Sequence, residues 1–246
     1  MKTTYSAALM VAILATSWTG VGSAQHWGYS GEGMPENWAK LDPKFALCGQ
    51  GRNQSPIDLS NLIKADLKPL HIEYKGGAAD LVNNGHAIQV DYAAGSFLTL
   101  DGRAFELKQF HFHSPSENLI EGRQFPLEGH LVHADKDGNL AVVAVMFEEG
   151  AANPLLARLW PKMPAKAGEK VALPGGLSVA EMLPPSLAYY RYNGSLTTPP
   201  CSEGVRWLVL KRPAPVSKEQ VQQFLKALGF ANNRPVQPVN ARAVLE

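Results

Sequence analysis

The chain has 246 residues, of which 45% are hydrophobic, 18% charged and 9% aromatic, a composition that supports a substantial core and argues against disorder. Lys and Arg number 23 against 22 Asp and Glu, with no long run of like charge. A basic stripe able to capture a phosphate backbone is therefore missing, nucleic acid is excluded as a partner, and 22 Gly with 18 Pro point to many turns between short strands.

From the N-terminus, Lys2, an apolar run over residues 7–15 and the small residues Gly22-Ser23-Ala24 predict a secretory signal, residues 1–24, cleaved after Ala24. The run is far shorter than the roughly 20 residues that span a bilayer, so no membrane anchor is expected. The mature domain is then 25–246, placed in the periplasm or outside the cell. In such an oxidising compartment Cys48 and Cys201 are expected to form a disulfide, with two buried free thiols as the alternative. A bridge across 153 positions contributes about 4 to 5 kcal/mol on the chain-entropy model, and it would pin the loop Leu196-Thr197-Thr198-Pro199-Pro200 that precedes Cys201.

Strands are predicted at 71–74, 87–92, 97–100, 105–113, 128–133, 140–147 and 205–210. Residues 140–147 are apolar throughout, as for a central strand covered on both faces. One helix opens at Asn153-Pro154 and carries Leu155, Leu156, Leu159 and Trp160. A second has Ser217 as its cap, Gln220 three positions later, an apolar face of Val221, Phe224, Leu225 and Leu228, and Gly229 as its stop. The economical fold is one mixed, β-dominated domain with peripheral short helices.

The histidines carry the chemistry. Alternation along Gln109-Phe110-His111-Phe112-His113 puts Gln109, His111 and His113 on one face of a strand and the two Phe on the other. In Glu128-Gly129-His130-Leu131-Val132-His133 the two His stand three apart, so only one can share a face with that pair. Glu128 shares the face of His130 and supplies the acceptor that the second nitrogen of a metal-bound imidazole needs, which selects His130. Three imidazoles around one ion describe a catalytic zinc site with an open fourth position. The bland alternative is a solvated His pair on an edge strand.

These residues, together with Gln54-Ser55-Pro56-Ile57-Asp58, Asn83-Asn84-Gly85-His86, Ser116-Glu117, Gly194-Ser195-Leu196-Thr197-Thr198-Pro199-Pro200, His26-Trp27-Gly28-Tyr29 and Asn232-Asn233-Arg234-Pro235, stand in the order found in α-class carbonic anhydrases. The resemblance covers essentially the whole mature chain and is closest in kind to the secreted bacterial branch, in which cysteines placed like Cys48 and Cys201 are bridged. It implies a single domain with a large, mostly antiparallel twisted central sheet, one Zn2+ per chain, and reversible hydration of carbon dioxide to bicarbonate and a proton. His111, His113 and His130 match the zinc ligands, and Gln109, Glu128 and the carbonyl of Asn232 match the groups that orient them. Thr197 matches the residue that accepts a hydrogen bond from the attacking hydroxide, and Glu117 the carboxylate that accepts the threonine proton. Val132, Val142, Leu196, Val205 and Trp207 match the apolar wall for carbon dioxide, with Thr198 at its mouth. His86 matches the proton shuttle, titrating near neutrality, with Tyr29, Asn83 and Gln89 holding the connecting waters. Bacterial members are often dimers, so a homodimer is the expected assembly.

Two departures stand out. Ser114-Pro115 follows the second ligand where animal members have Trp-Gly, and Asn118 occupies a position where His is common. Competing readings are a catalytically silent binding module of the same fold, which would usually lack a ligand His, and a cupin metal enzyme using His111, His113 and Glu117. The cupin reading requires a second half-motif with a downstream His, and none follows His133.

Overall fold

The turn-rich composition resolves into thirteen strands in the computed structural model, which describes residues 26–75 and 77–246. They are β1 (Asp58–Leu59), β2 (His71–Glu73), β3 (Ala78–Asn83), β4 (Ile88–Tyr92), β5 (Phe97–Leu100), β6 (Arg103–His113) and β7 (Leu119–Ile120). Then follow β8 (Leu127–Ala134), β9 (Leu140–Glu149), β10 (Lys170–Ala172), β11 (Tyr189–Ser195), β12 (Glu203–Leu210) and β13 (Ala214–Val216). Eleven of these form one sheet whose main path is β10-β3-β4-β6-β8-β9-β12-β11, while β1 and β7 pair separately. Within the large sheet β12 and β13 run parallel to β9 and the other ladders are antiparallel, in agreement with the predicted architecture. The proposed signal segment lies outside the described residues. Among the described residues no helix is long and apolar enough to cross a membrane.

β9 is central because it is apolar on both sides. Ala141, Val143, Val145 and Phe147 face one core cluster, whereas Val142, Ala144 and Met146 face another. The first cluster is covered by the helix Pro154–Leu159, capped by the Asn153 carboxamide, and by the helix Lys218–Leu228, which has the predicted Ser217/Gln220 capping box and stops at Gly229 with φ +89°. Gln220 also joins the two helix starts, accepting from Asn153 N at 2.8 Å and donating to its carbonyl at 2.9 Å.

β6 shows how the histidines come to face away from this core. Strict alternation would put Phe105 and Leu107 on the same side as His111 and His113. A bulge between Leu107 and Gln109 inserts Lys108 without a partner, so the parity changes there. Phe105, Leu107, Phe110 and Phe112 consequently all enter the first core cluster, and Gln109, His111 and His113 turn to the opposite face.

His133, which has no part in the metal cluster, sits on the core side of β8. Its Nδ1 donates to the Ala141 carbonyl at 3.2 Å, leaving Nε2 to accept the Tyr74 hydroxyl at 2.9 Å. Burial pushes this ring down to about 4, against an ordinary 6.5. The unfolded chain therefore takes up a proton near pH 6.5 while the folded chain resists until about pH 4. This costs nothing above pH 6.5 and about 3 kcal/mol of stability at pH 4. Denaturation midpoints measured from pH 7 to pH 4 are expected to fall less steeply in His133→Gln than in the wild type. Parallel slopes would refute the assignment.

The N-terminal part of the described chain, a series of one-turn helices from Gly31 to Gln50, carries Cys48, which is bridged to Cys201 with Cα atoms 5.0 Å apart. The bridge packs on Trp38 and closes the base of the Leu196–Ser202 loop, inside which Cys201 N donates to Thr198 O at 2.9 Å and Leu196 N to Ser202 O at 3.0 Å. Cys48→Ser is expected to lower stability by about 2 to 5 kcal/mol and to loosen the threonine loop. Unchanged melting and unchanged activity under reductant would contradict that role.

Candidate metal centre

In the β6–β8 ladder His111 lies directly opposite His130, and His113 opposite Glu128. Cross-strand partners on one face approach within side-chain reach. Ring centroids are accordingly 5.1 Å apart for His111 and His113, 5.3 Å for His111 and His130, and 4.6 Å for His113 and His130. One ligand nitrogen from each of the three rings lies within 4.8 Å of the others.

Each ring is also locked in one tautomer. His111 Nδ1 donates to Gln109 Oε1 at 2.8 Å, His113 Nδ1 to the Asn232 carbonyl at 2.7 Å and His130 Nε2 to Glu128 Oε1 at 2.8 Å. All three acceptors lack a proton, so His111 Nε2, His113 Nε2 and His130 Nδ1 keep their lone pairs. His113 Nε2 is buried and has no hydrogen-bond partner among the described residues. Burial pushes all three rings below their ordinary range, most strongly at His111 and His130, so they are neutral imidazoles. Three convergent neutral nitrogens, one of them a buried orphan, fit a divalent cation of imidazole preference.

The acids behind the ligands differ in their surroundings. Glu128 Oε2 accepts from Glu117 N at 2.7 Å and Asn118 N at 2.9 Å, and Oε1 accepts from Asn118 Nδ2 at 2.7 Å. Burial raises its pKa, but this ring of donors favours the carboxylate. Glu117 Oε1 accepts from Arg234 N at 2.9 Å, while its buried Oε2 lies outside regular hydrogen-bond geometry with every described neighbour. Burial drives Glu117 well above the usual carboxylate range, opposed by the Arg234 N–H and, from a looser contact, by the Thr197 hydroxyl.

Beside the histidines stands the apolar wall. Val142, Val205 and Trp207 belong to the second core cluster, with Val132 and Leu196 packed on it, and the His130 ring meets Trp207 edge-on at 4.9 Å. Trp207 Nε1 donates to Ser195 O at 3.0 Å, which leaves the indole no free donor. Thr197 is buried and Thr198 half-buried at the head of the disulfide-bound loop.

The residues matched to proton transfer are placed less simply. His86, half-buried in the β3–β4 turn, stacks on Trp27 with centroids 3.6 Å apart and planes at 11°, and His26 meets it edge-on at 5.0 Å. Burial, then proximity to His26, pushes His86 down to about 4, away from the near-neutral titration expected of it. Asn83 turns inward, its Oδ1 accepting from Gly85 N at 3.0 Å and its Nδ2 donating to Pro164 O at 3.2 Å, so it shapes the turn. Asn84 is the exposed member. It accepts from His86 N at 2.9 Å and Ala87 N at 2.7 Å, and donates to Gln89 at 3.3 Å, while Gln89 donates to Asp91 at 2.7 Å. The Asn-Gly dipeptide was a turn signal that already favoured this arrangement. The buried Tyr29 hydroxyl has no hydrogen-bond partner among the described residues, and burial and nearby Glu117 keep its pKa well above the usual value.

Residues 33–246 match the family described as eukaryotic-type carbonic anhydrase. A carbonic anhydrase of Pectobacterium atrosepticum is 47% identical over 245 residues, covering 100% of both chains, and one of Neisseria gonorrhoeae is 47% identical over 98% of this chain and 96% of its own. The solved structure of α-carbonic anhydrase from Thermovibrio ammonificans with the inhibitor sulfanilamide superposes with a TM-score of 0.87 at 49% identity, covering 90% of this chain and 99% of that one. The chain belongs to the α-class carbonic anhydrase family.

Within this carbonic anhydrase framework the Asn118 departure acquires a reason. Its Oδ1 accepts from Ile57 N at 3.2 Å and the Tyr192 hydroxyl at 2.9 Å while its backbone N and Nδ2 hold Glu128, so one residue joins the segment before β1, β11 and the partner of His130. Ser114 is equally committed, donating from N to Asn232 Oδ1 at 2.9 Å and from its hydroxyl to Pro126 O at 2.8 Å. Both roles escaped sequence reasoning because each partner is distant along the chain.

Proposed function

We propose that this carbonic anhydrase hydrates carbon dioxide reversibly on a single zinc held by His111, His113 and His130. The observation carrying the reading is the set of three neutral, tautomer-locked imidazoles beside a wall of valines, leucine and tryptophan. Zinc, when bound, lowers the pKa of the water it holds to about 7, as is established for carbonic anhydrases. Val132, Val142, Leu196, Val205 and Trp207 receive carbon dioxide, which is apolar and needs a water-excluding surface more than hydrogen-bond donors. Glu117 accepts a hydrogen bond from the Thr197 hydroxyl, so that Thr197 Oγ presents a lone pair to the nucleophile and orients it toward the wall. Thr198 lies at the mouth. His86 collects the released proton on a ring nitrogen and passes it to solvent, with Gln89 and the Tyr29 hydroxyl bordering the path and Asn83 and Asn84 holding the turn. The domain is 25–246, exported to the periplasm or beyond after removal of 1–24, where the disulfide is maintained.

Stopped-flow hydration of carbon dioxide by the mature protein, with zinc quantified in the same sample, tests the reading. Fast hydration at one zinc per chain is expected. A folded, zinc-loaded protein without hydration activity would sink it in favour of a silent binding module.

A further inference from the structure

The most deeply buried cation near the centre is Arg234, 2% exposed, and nothing in the reaction uses it directly. Its guanidinium makes three hydrogen bonds, all to neutral acceptors: Gln54 Oε1 at 2.9 Å, Ser55 O at 2.8 Å and Cys48 O at 2.8 Å. It also lies over the Trp38 ring, 5.6 Å from the centroid. Burying a charge without an opposite charge in contact is unfavourable, and an apolar side chain would fill this space without that cost. What only a guanidinium supplies is a planar fork of five donors able to tie several carbonyl acceptors at once.

The backbone of the same residue explains where that anchorage is used. Arg234 N donates to Glu117 Oε1, and two positions earlier the Asn232 carbonyl accepts from His113. Asn232 Nδ2 further donates to His86 O at 3.1 Å and Phe112 O at 2.9 Å. Residues 231–239 belong to no helix or strand, so no ladder holds this stretch in place. We infer that Arg234 is a positioning residue for the hydration reaction, its guanidinium bolting the 232–234 segment to the Cys48–Ser55 segment so that its own N–H sets Glu117 and the Asn232 carbonyl sets His113. The inference rests on the reading of Glu117 as the acceptor for Thr197. Burial lowers Arg234 only to about 10, so the fork stays fully protonated at neutral pH.

Arg234→Gln and Arg234→Lys, each alone and combined with Glu117→Gln, test the assignment in the zinc-loaded full-length mature chain. Arg234→Gln is expected to reduce kcat/KM for carbon dioxide by roughly 10- to 100-fold, the range for groups that orient a metal site through another residue, and to speed zinc loss to a chelator. Arg234→Lys should recover part of both. On the Glu117→Gln background the same Arg234 change should cost clearly less in kcat/KM than in the wild type, because its route through Glu117 is already cut, while the faster zinc loss, which runs through Asn232 and His113, should persist. Wild-type kcat/KM in Arg234→Gln would overturn the proposal, as would an equal loss in both backgrounds, which is the signature of a fold element alone. Wild-type kcat/KM in Glu117→Gln by itself would instead overturn the underlying reading of Glu117. Should Arg234→Gln not fold, Arg234→Lys carries the same comparison.

Discussion

Replacing His113 with Ala is expected to abolish zinc retention and carbon dioxide hydration together, a loss well beyond the roughly 10- to 100-fold that removal of an orienting partner costs. Of the three clustered histidines His113 is the most completely buried. Its Nδ1 is held by the Asn232 carbonyl, and its Nε2 is buried with no hydrogen-bond partner among the described residues. Gln109→Ala supplies the contrast, because it frees His111 Nδ1 without removing a lone pair and should weaken zinc only within the 10- to 100-fold range. Metal analysis after dialysis, alongside stopped-flow hydration, separates the two. Full zinc content with wild-type hydration in His113→Ala would remove it from the ligand set.

His86→Ala is the second large effect. Turnover in weak buffer should fall on the order of 100-fold, the lower end of what a positioned acid–base group contributes, while kcat/KM for carbon dioxide stays near wild type. The lower end follows from the ring's surroundings. Stacked on Trp27 and edged by His26, His86 holds a proton only below about pH 4 in the observed position and is a poor acceptor from a donor near 7. Trp27→Ala should therefore act in the opposite sense, freeing the ring toward its ordinary 6.5 and raising the pKa seen in the kcat profile. Added imidazole should restore turnover in His86→Ala. Absence of rescue would assign the proton to another group.

Local patterns were enough for much of the fold and for the three clustered histidines. The apolar run at 140–147 announced a central strand, the Ser217/Gln220 pair announced a helix start, and the Gln-x-His-x-His alternation put three polar side chains on one face. Choosing His130 over His133 needed only strand parity and the neighbouring Glu128, and the core-side contacts of His133 agree with that choice. Six strands, β1, β3, β7, β10, β11 and β13, left little trace. β1, β7 and β13 are two or three residues long, β10 is exposed along its whole length, β11 carries Arg, Asn and Gly, and β3 is placed by its ladders to β4 and β10.

The sequence by itself determined which residues can offer lone pairs, which can carry protons and which repel water, because those are properties of side chains and of a two-residue period. Tertiary structure decided which partner each buried polar group meets. The Asn232 carbonyl reaches His113 from 119 positions away, Arg234 reaches Glu117 from 117, and a bulge at Lys108 alone keeps Phe105 and Leu107 on the opposite face from the histidines. Once buried, each such group must find a partner whatever its place in the chain, and that requirement acts through space, where periodicity has no reach.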